Sequence, residues 1–294
     1  MKVALCFIIS YDHKLNKELL WKEWIEPNKD IINVYFYYKD FKKIKSKWII
    51  DHALPPDYIH DTSYFYVISA YMSVMKYAVN SDPENMWFSL LTDSCCPIIS
   101  PKRFRYLFFT HYNKSVFSWA KAWWNPERDK RANLSKIPKE FWLANDPWFT
   151  LTRRNVLQIA HFVQTKQEIV NLINSGGLAN ETLFAVIFYM YKEIGDHGEN
   201  DVNKKDGVIC MRSHLADWAR SSSSTSPHVF KNGDKKDIAY IEKNLNENPY
   251  AMFIRKVAPE FPDKVMRHYI YQHNAAADSE IIIQEPVDKG LSGN

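Results

Sequence analysis

The chain has 294 residues, of which 46% are hydrophobic and 24% charged, with a formal net charge of +4. It is long enough for a sizeable globular core. So small and dispersed a positive charge excludes nucleic acid as the expected partner, and no apolar run approaches the roughly 20 residues needed to span a membrane. Four cysteines, Cys6, Cys95, Cys96 and Cys210, lack zinc spacing and fit a reducing compartment, so a soluble cytoplasmic protein is expected.

Residues 3–9 are a short, continuous apolar run that reads as a buried strand, ended by Ser10, Tyr11, Asp12 and His13. Residues 14–26 place Leu15, Leu19, Leu20 and Trp24 at helical spacing and stop at Pro27. A second strand is expected at 32–38. Residues 64–79 carry Phe65, Ile68, Met72, Met75 and Val79 on one helical face. The run 87–91 is the central strand, closed abruptly by Thr92, Asp93 and Ser94. This alternation of strand and helix predicts an α/β fold with a mostly parallel sheet flanked by helices, whose ligands bind beyond the carboxyl ends of the strands.

Residues 101–112 begin with Pro101 and read as a helix. Residues 113–140 show no period despite Trp119, Trp123 and Trp124, and read as a partly ordered excursion. Short strands are expected at 141–143 and 148–151, around Asn145-Asp146-Pro147, and helices at 155–165 and 167–174. Gly176-Gly177 breaks the chain before an apolar helix over 181–193, and 196–207 is a polar loop. A last strand at 208–211 precedes Trp218-Ala219-Arg220, a Ser-rich run over 221–226, a helix over 234–246 and the apolar stretch 251–254. A single domain over 1–274 with a loosely held tail, 275–294, is the expected organisation.

In this order the blocks resemble the core-2/I-branching glycosyltransferases, family 14. Phe88 to Pro97 (Phe-Ser-Leu-Leu-Thr-Asp-Ser-Cys-Cys-Pro) is similar to a family block, as is Trp148 to Arg154 (Trp-Phe-Thr-Leu-Thr-Arg-Arg). So are Asn180-Glu181 before an apolar helix, Asp217-Trp218-Ala219-Arg220, and Phe253-Ile254-Arg255-Lys256. The resemblance covers about residues 1–260. It implies a GT-A type fold and inverting transfer of a sugar of the xylose or N-acetylglucosamine type from a UDP-sugar to a glycan hydroxyl. Relatives commonly carry a membrane anchor, so its absence from the sequence points to a cytosolic and even virus-encoded relative.

Inverting transfer needs a base beside the acceptor hydroxyl, and a carboxylate suits it. The resemblance puts Glu181 in that role; a capped, dipole-complementing Glu in a first helical turn is the structural alternative. Many GT-A enzymes hold a divalent cation with Asp-X-Asp, but the position after the central strand reads Thr92-Asp93-Ser94, with one carboxylate. The resemblance implies that basic side chains replace the metal: Arg220 and Lys256, with Arg255 adjacent. No cofactor and no metal are therefore expected. Ser10, Tyr11, Asp12 and His13 would meet the nucleotide, Asp93 the ribose or donor sugar, and Asp146, Trp148, Trp123 and Trp124 the acceptor. Two alternatives stay open: a metal-dependent transferase in which Asp93 holds manganese, and a catalytically silent glycan-binding module.

Overall fold

The computed structural model describes residues 1–9, 12–63, 65–195, 207–223 and 225–285. Strand β1 (Lys2–Ile8) runs through the middle, with β2 (Ile32–Tyr37) and β3 (Asn85–Thr92) parallel to it on either side. Leu5 sits between Val34 and Ser89 in the register. Side chains alternate between faces, as the pleat requires. Val3, Leu5, Phe7, Val34, Phe36, Trp87 and Leu91 join one core, and Ala4, Cys6, Tyr35, Tyr37, Phe88 and Leu90 the other. Burial on both faces is why these strands are unbroken apolar runs. Each fully buried ring such as Phe7 or Phe36 contributes roughly 1.5–3 kcal/mol.

Shorter strands complete the framework: β4 (Cys96–Pro97), β5 (Ser115–Val116), β6 (Trp119–Lys121), β7 (Leu143–Asn145) and β8 (Thr150–Thr152). After them come β9 (Val208–Ile209), β10 (His214–Ala216) and β11 (Phe253–Arg255). Among the described residues the main sheet has the order β2-β1-β3-β8-β5-β9. Within it β8 runs antiparallel to both β3 and β5. A second sheet has the order β10-β11-β4, and β6 pairs with β7. The excursion expected over 113–140 thus supplies β5 to the main sheet, a contribution too short to show a period.

The helices are α1 (Glu18–Ile25), α2 (Lys47–Asp51), α3 (Ile68–Ser81), α4 (Pro101–His111) and α5 (Arg153–Thr165). They continue with α6 (Gln167–Asn174), α7 (Leu183–Met190), α8 (Lys235–Glu247), α9 (Asp263–Tyr271) and α10 (Ala275–Glu280). Helices α1, α2, α4, α8 and α9 bury apolar side chains in the first core, and α3, α5, α6 and α7 in the second. The predicted helix over 14–26 starts late, because Lys17 is left-handed (φ 60°) and its Nζ reaches Pro259 O at 2.6 Å. In the segment read as a tail, α10 docks through Asp278, which accepts from the α4 cap Ser100 at 2.5 Å. Further on, Glu285 accepts from Arg105 Nε at 3.1 Å. Among the described residues, no helix is long and apolar enough to cross a membrane.

Candidate active site

The carboxyl ends of β1, β2 and β3 open into a cleft of about 290 Å³. Ile8, Tyr37, Lys39, Thr92 and Asp93 line it. Arg255 and Lys256 line it too, brought there by the turn after the central strand. Cys95 N donates to Thr92 O at 3.1 Å to close that turn, β4 then pairs with β11, and Val257 N donates to Ser94 O at 2.8 Å. The single carboxylate of Asp93 and the two cations therefore share one cleft. The guanidinium of Arg255, 5% exposed, lies over Trp148 with its carbon 3.4 Å from the ring centroid. Lys256 Nζ donates to Ser226 Oγ at 2.8 Å. Burial, and secondarily the charge of Arg255, holds its pKa below the usual lysine value.

A second cleft, of about 330 Å³, lies beside the first and is lined by Trp123, Arg131, Asp146 and Arg212. The two share Pro147, Leu178, Glu181, Trp218 and Thr225 as a common wall. Asp146 accepts an ion pair from Arg212 Nε at 3.2 Å, yet burial pushes its carboxyl pKa up.

Glu181 ends a 3-10 turn, Ala179–Glu181, that follows Gly177 (φ 69°) and a left-handed Leu178 (φ 52°). The helix α7 begins only at Leu183. Glu181 thus precedes the helix, next to its cap residue Thr182, rather than occupying the first turn of α7. Its turn is tied down by Asn145, which donates to Asn180 O at 2.9 Å and accepts from Ala185 N at 3.2 Å. Arg131 Nη1 donates to Glu181 Oε2 at 3.2 Å. Burial is the largest influence on this carboxyl and raises its pKa; Arg131 opposes the rise and Asp146 adds to it. A carboxyl whose proton affinity is lifted, set between two clefts, is suited to taking a proton from a ligand in one as a bond forms to a ligand in the other.

Of the residues singled out from sequence, Glu181, Asp93, Arg255, Lys256, Asp146, Trp148 and Trp123 line the two clefts. Arg220 does not. Its Nε donates to Asp217 Oδ2 at 2.5 Å and its Nη1 to Asp237 Oδ1 at 2.9 Å, and it packs against Phe230 and Tyr240. Two buried carboxylates hold it away from the cleft. Asp12 is exposed, and His13 is buried with Nε2 accepting from Asp40 N at 2.8 Å; neither lines a cleft. Trp124 stands behind Arg131, 4.7 Å from ring centroid to guanidinium carbon. Ser10 and Tyr11 lie outside the described residues, as do most of residues 196–207.

Sequence reasoning singled out none of Arg131, Arg212, Lys39 and Trp218 as lining residues of the clefts. Only Trp218 sat in a block that drew attention. Among the described residues, no group of three or more His, Cys, Asp or Glu side chains is disposed to hold a metal ion. In comparisons with known proteins, the model of the family described as Core-2/I-Branching enzyme matches residues 14–241. That span contains Asp93, Asp146, Glu181 and Arg220 and stops short of Arg255 and Lys256. No curated protein matches the chain.

Proposed function

The chain belongs to the core-2/I-branching enzyme family, a family of glycosyltransferases, and we propose that it is an inverting, metal-independent member that moves a sugar from a UDP-sugar to a glycan hydroxyl. Its mixed sheet, largely parallel and covered by helices on both faces, is the arrangement of a GT-A type fold. The observation that carries the finer reading is Glu181 in the common wall of two clefts, one of which holds Arg255 and Lys256.

In this reading the donor occupies the first cleft. Its diphosphate lies against Arg255 and Lys256, which supply a planar fork and a point charge. The acceptor lies in the second cleft, with a sugar ring against Trp123 and polar contacts from Asp146 and Arg212. Glu181 removes the acceptor proton as the oxygen bonds to the anomeric carbon. The bond from that carbon to the diphosphate oxygen breaks on the opposite face, and UDP leaves with the electron pair. Lys256, which donates to Ser226 Oγ, exchanges that hydroxyl for a phosphate oxygen. Arg220 braces the base of the 221–226 run through Asp217 and Asp237. The donor sugar is of the xylose or N-acetylglucosamine type.

Thermal stabilisation by UDP and by a panel of UDP-sugars, each with manganese and with EDTA, tests the reading. A ligand of the folded state raises the melting temperature by mass action. A shift that survives EDTA and is lost in Lys256→Ala supports it. Dependence on manganese hands the diphosphate to a metal held by Asp93. No shift with any nucleotide leaves a glycan-binding module as the better account.

A further inference from the structure

If Glu181 is the base, as proposed above, its ionisation and aim matter as much as its presence, and both are set from a distant loop. Arg131 and Glu181 pair at 3.2 Å, with side chains 19% and 12% exposed. The guanidinium is held on its other faces too. It lies over the Trp124 ring at 4.7 Å. Asp129 accepts from Arg131 N at 2.9 Å, and its carboxylate is 3.9 Å from Arg131 Nε.

The backbone beyond Arg131 is forced. Ala132 and Asn133 are both left-handed, at φ 52° and 51°, a conformation that costs of order 1–3 kcal/mol per residue and persists only where the surroundings over-determine it. Here they do. Ala132 N donates to Gly177 O at 3.0 Å, and Asn133 Nδ2 donates to Leu172 O at 2.7 Å and Ser175 Oγ at 3.0 Å. The approach is so close that a Cβ on Gly176 would stand 2.3 Å from Asn133 N. The loop that carries Arg131 is thus held by main chain and by the Asn133 side chain against the end of α6 and Gly177, which lead into the turn that carries Glu181.

We propose that Arg131 is a positioning residue for the base: it grips Oε2 of Glu181, keeps the carboxylate ionised in its buried setting, and presents Oε1 to the acceptor hydroxyl. Other groups face the same carboxylate. Asp146, after β7, opposes Arg131 and is itself paired with Arg212. Tyr71 of α3 and Asp93 after β3 line the first cleft with Glu181, as do Arg255 at the end of β11 and Lys256 after it. Of these, Arg131 is the cation in direct contact with Glu181.

The test is the pH dependence of transfer by the full chain, using the UDP-sugar and acceptor that support turnover, for the wild type, Glu181→Gln, Arg131→Gln and Arg131→Lys. Glu181→Gln reports on the premise: a variant with turnover near wild type ends the base reading itself. Given a dead Glu181→Gln, Arg131→Gln is expected to move the acid limb of kcat upward by about one pH unit or more, as loss of a close opposite charge requires. Rate at alkaline pH is partly recovered, and Arg131→Lys returns the limb most of the way. A limb that stays in place while kcat falls equally at every pH overturns the proposal in favour of a purely structural loop. A rise in acceptor KM with kcat and the limb unchanged overturns it in favour of an acceptor contact. Arg131→Lys keeps the charge and nearly the volume, so it serves even if Arg131→Gln does not fold.

Discussion

Arg255 lies on the face of Trp148 with its guanidinium carbon 3.4 Å from the ring centroid, joining the end of β11 to the segment between β7 and β8. The pair forms one side of the first cleft. Such a contact is worth about 2 kcal/mol when desolvated, and it holds the guanidinium in a fixed plane.

Trp148→Leu is therefore expected to weaken UDP binding about tenfold, close to 1.4 kcal/mol, while Trp148→Phe weakens it less. Isothermal titration with UDP measures this. Affinity unchanged in Trp148→Leu would mean that Arg255 does not meet the nucleotide.

Arg220 makes the opposite case, a cation whose charge is already answered. Its partners Asp217 and Asp237 have side chains only 1% and 4% exposed. Removing the arginine leaves Asp237 with His228 Nε2 and Gly233 N and Asp217 with the main-chain N of residue 220, so both buried carboxylates lose their fully charged partner and stability falls by about 1–3 kcal/mol. Arg220→Ala should lower the midpoint of urea unfolding sharply, and Arg220→Ala with Asp237→Asn should recover part of the loss. If Arg220→Ala unfolds like the wild type but no longer binds UDP, Arg220 is a diphosphate ligand after all.

Gly176 is where a single methyl group tests the lock between the two loops. The added Cβ would meet backbone at 2.3 Å and 2.6 Å, from Asn133 N and Ala132 C. Backbone cannot rotate aside as a side chain would. Gly176→Ala is expected to cost about 1–3 kcal/mol and to separate Arg131 from Glu181, so turnover falls more than donor binding. Gly177→Ala gives a control: its Cβ would meet nothing nearer than 3.6 Å, and its penalty comes from φ 69° alone. Equal losses of turnover in the two variants would show that the close approach at Gly176 has no special part.

These contrasts mark what the sequence discloses. The strands β1, β2 and β3 are legible because burial on both faces demands unbroken apolar runs, and α4 because Pro101 announces its start. Strands such as β5 and β11, two and three residues long, carry no period to read. Asp93 and Lys256, which line the first cleft, drew attention because each sits at the end of an apolar stretch within a family-like block. Arg131 was not found. Its place depends on left-handed Ala132 and Asn133, and nothing about an alanine signals that conformation. Gly176-Gly177 read as a chain break, and at Gly176 it is the main chain of residues 132 and 133 that comes close. The pairing of Arg220 was not legible either, because a cation in a matching block says nothing of an aspartate seventeen positions on.

The charge on Glu181 is expected to cost stability, because the carboxyl is buried. Burial is the largest influence on its carboxyl, and the net effect is a pKa raised above the ordinary value. The folded state then binds the proton more tightly than the unfolded chain, whose glutamates titrate near about 4.3. Between that value and the raised one the folded state carries more protons, so stability falls as pH rises through the window. Glutamine has the shape of the protonated acid and no charge to desolvate. Glu181→Gln is expected to melt with the wild type once pH drops below about 4, and above the wild type at pH 8, while turnover falls by about 10²–10⁴. Melting curves of both proteins across this range decide it. A Glu181→Gln variant that melts lower than the wild type at pH 8 would mean that the Arg131 ion pair outweighs burial, reversing the sign argued here.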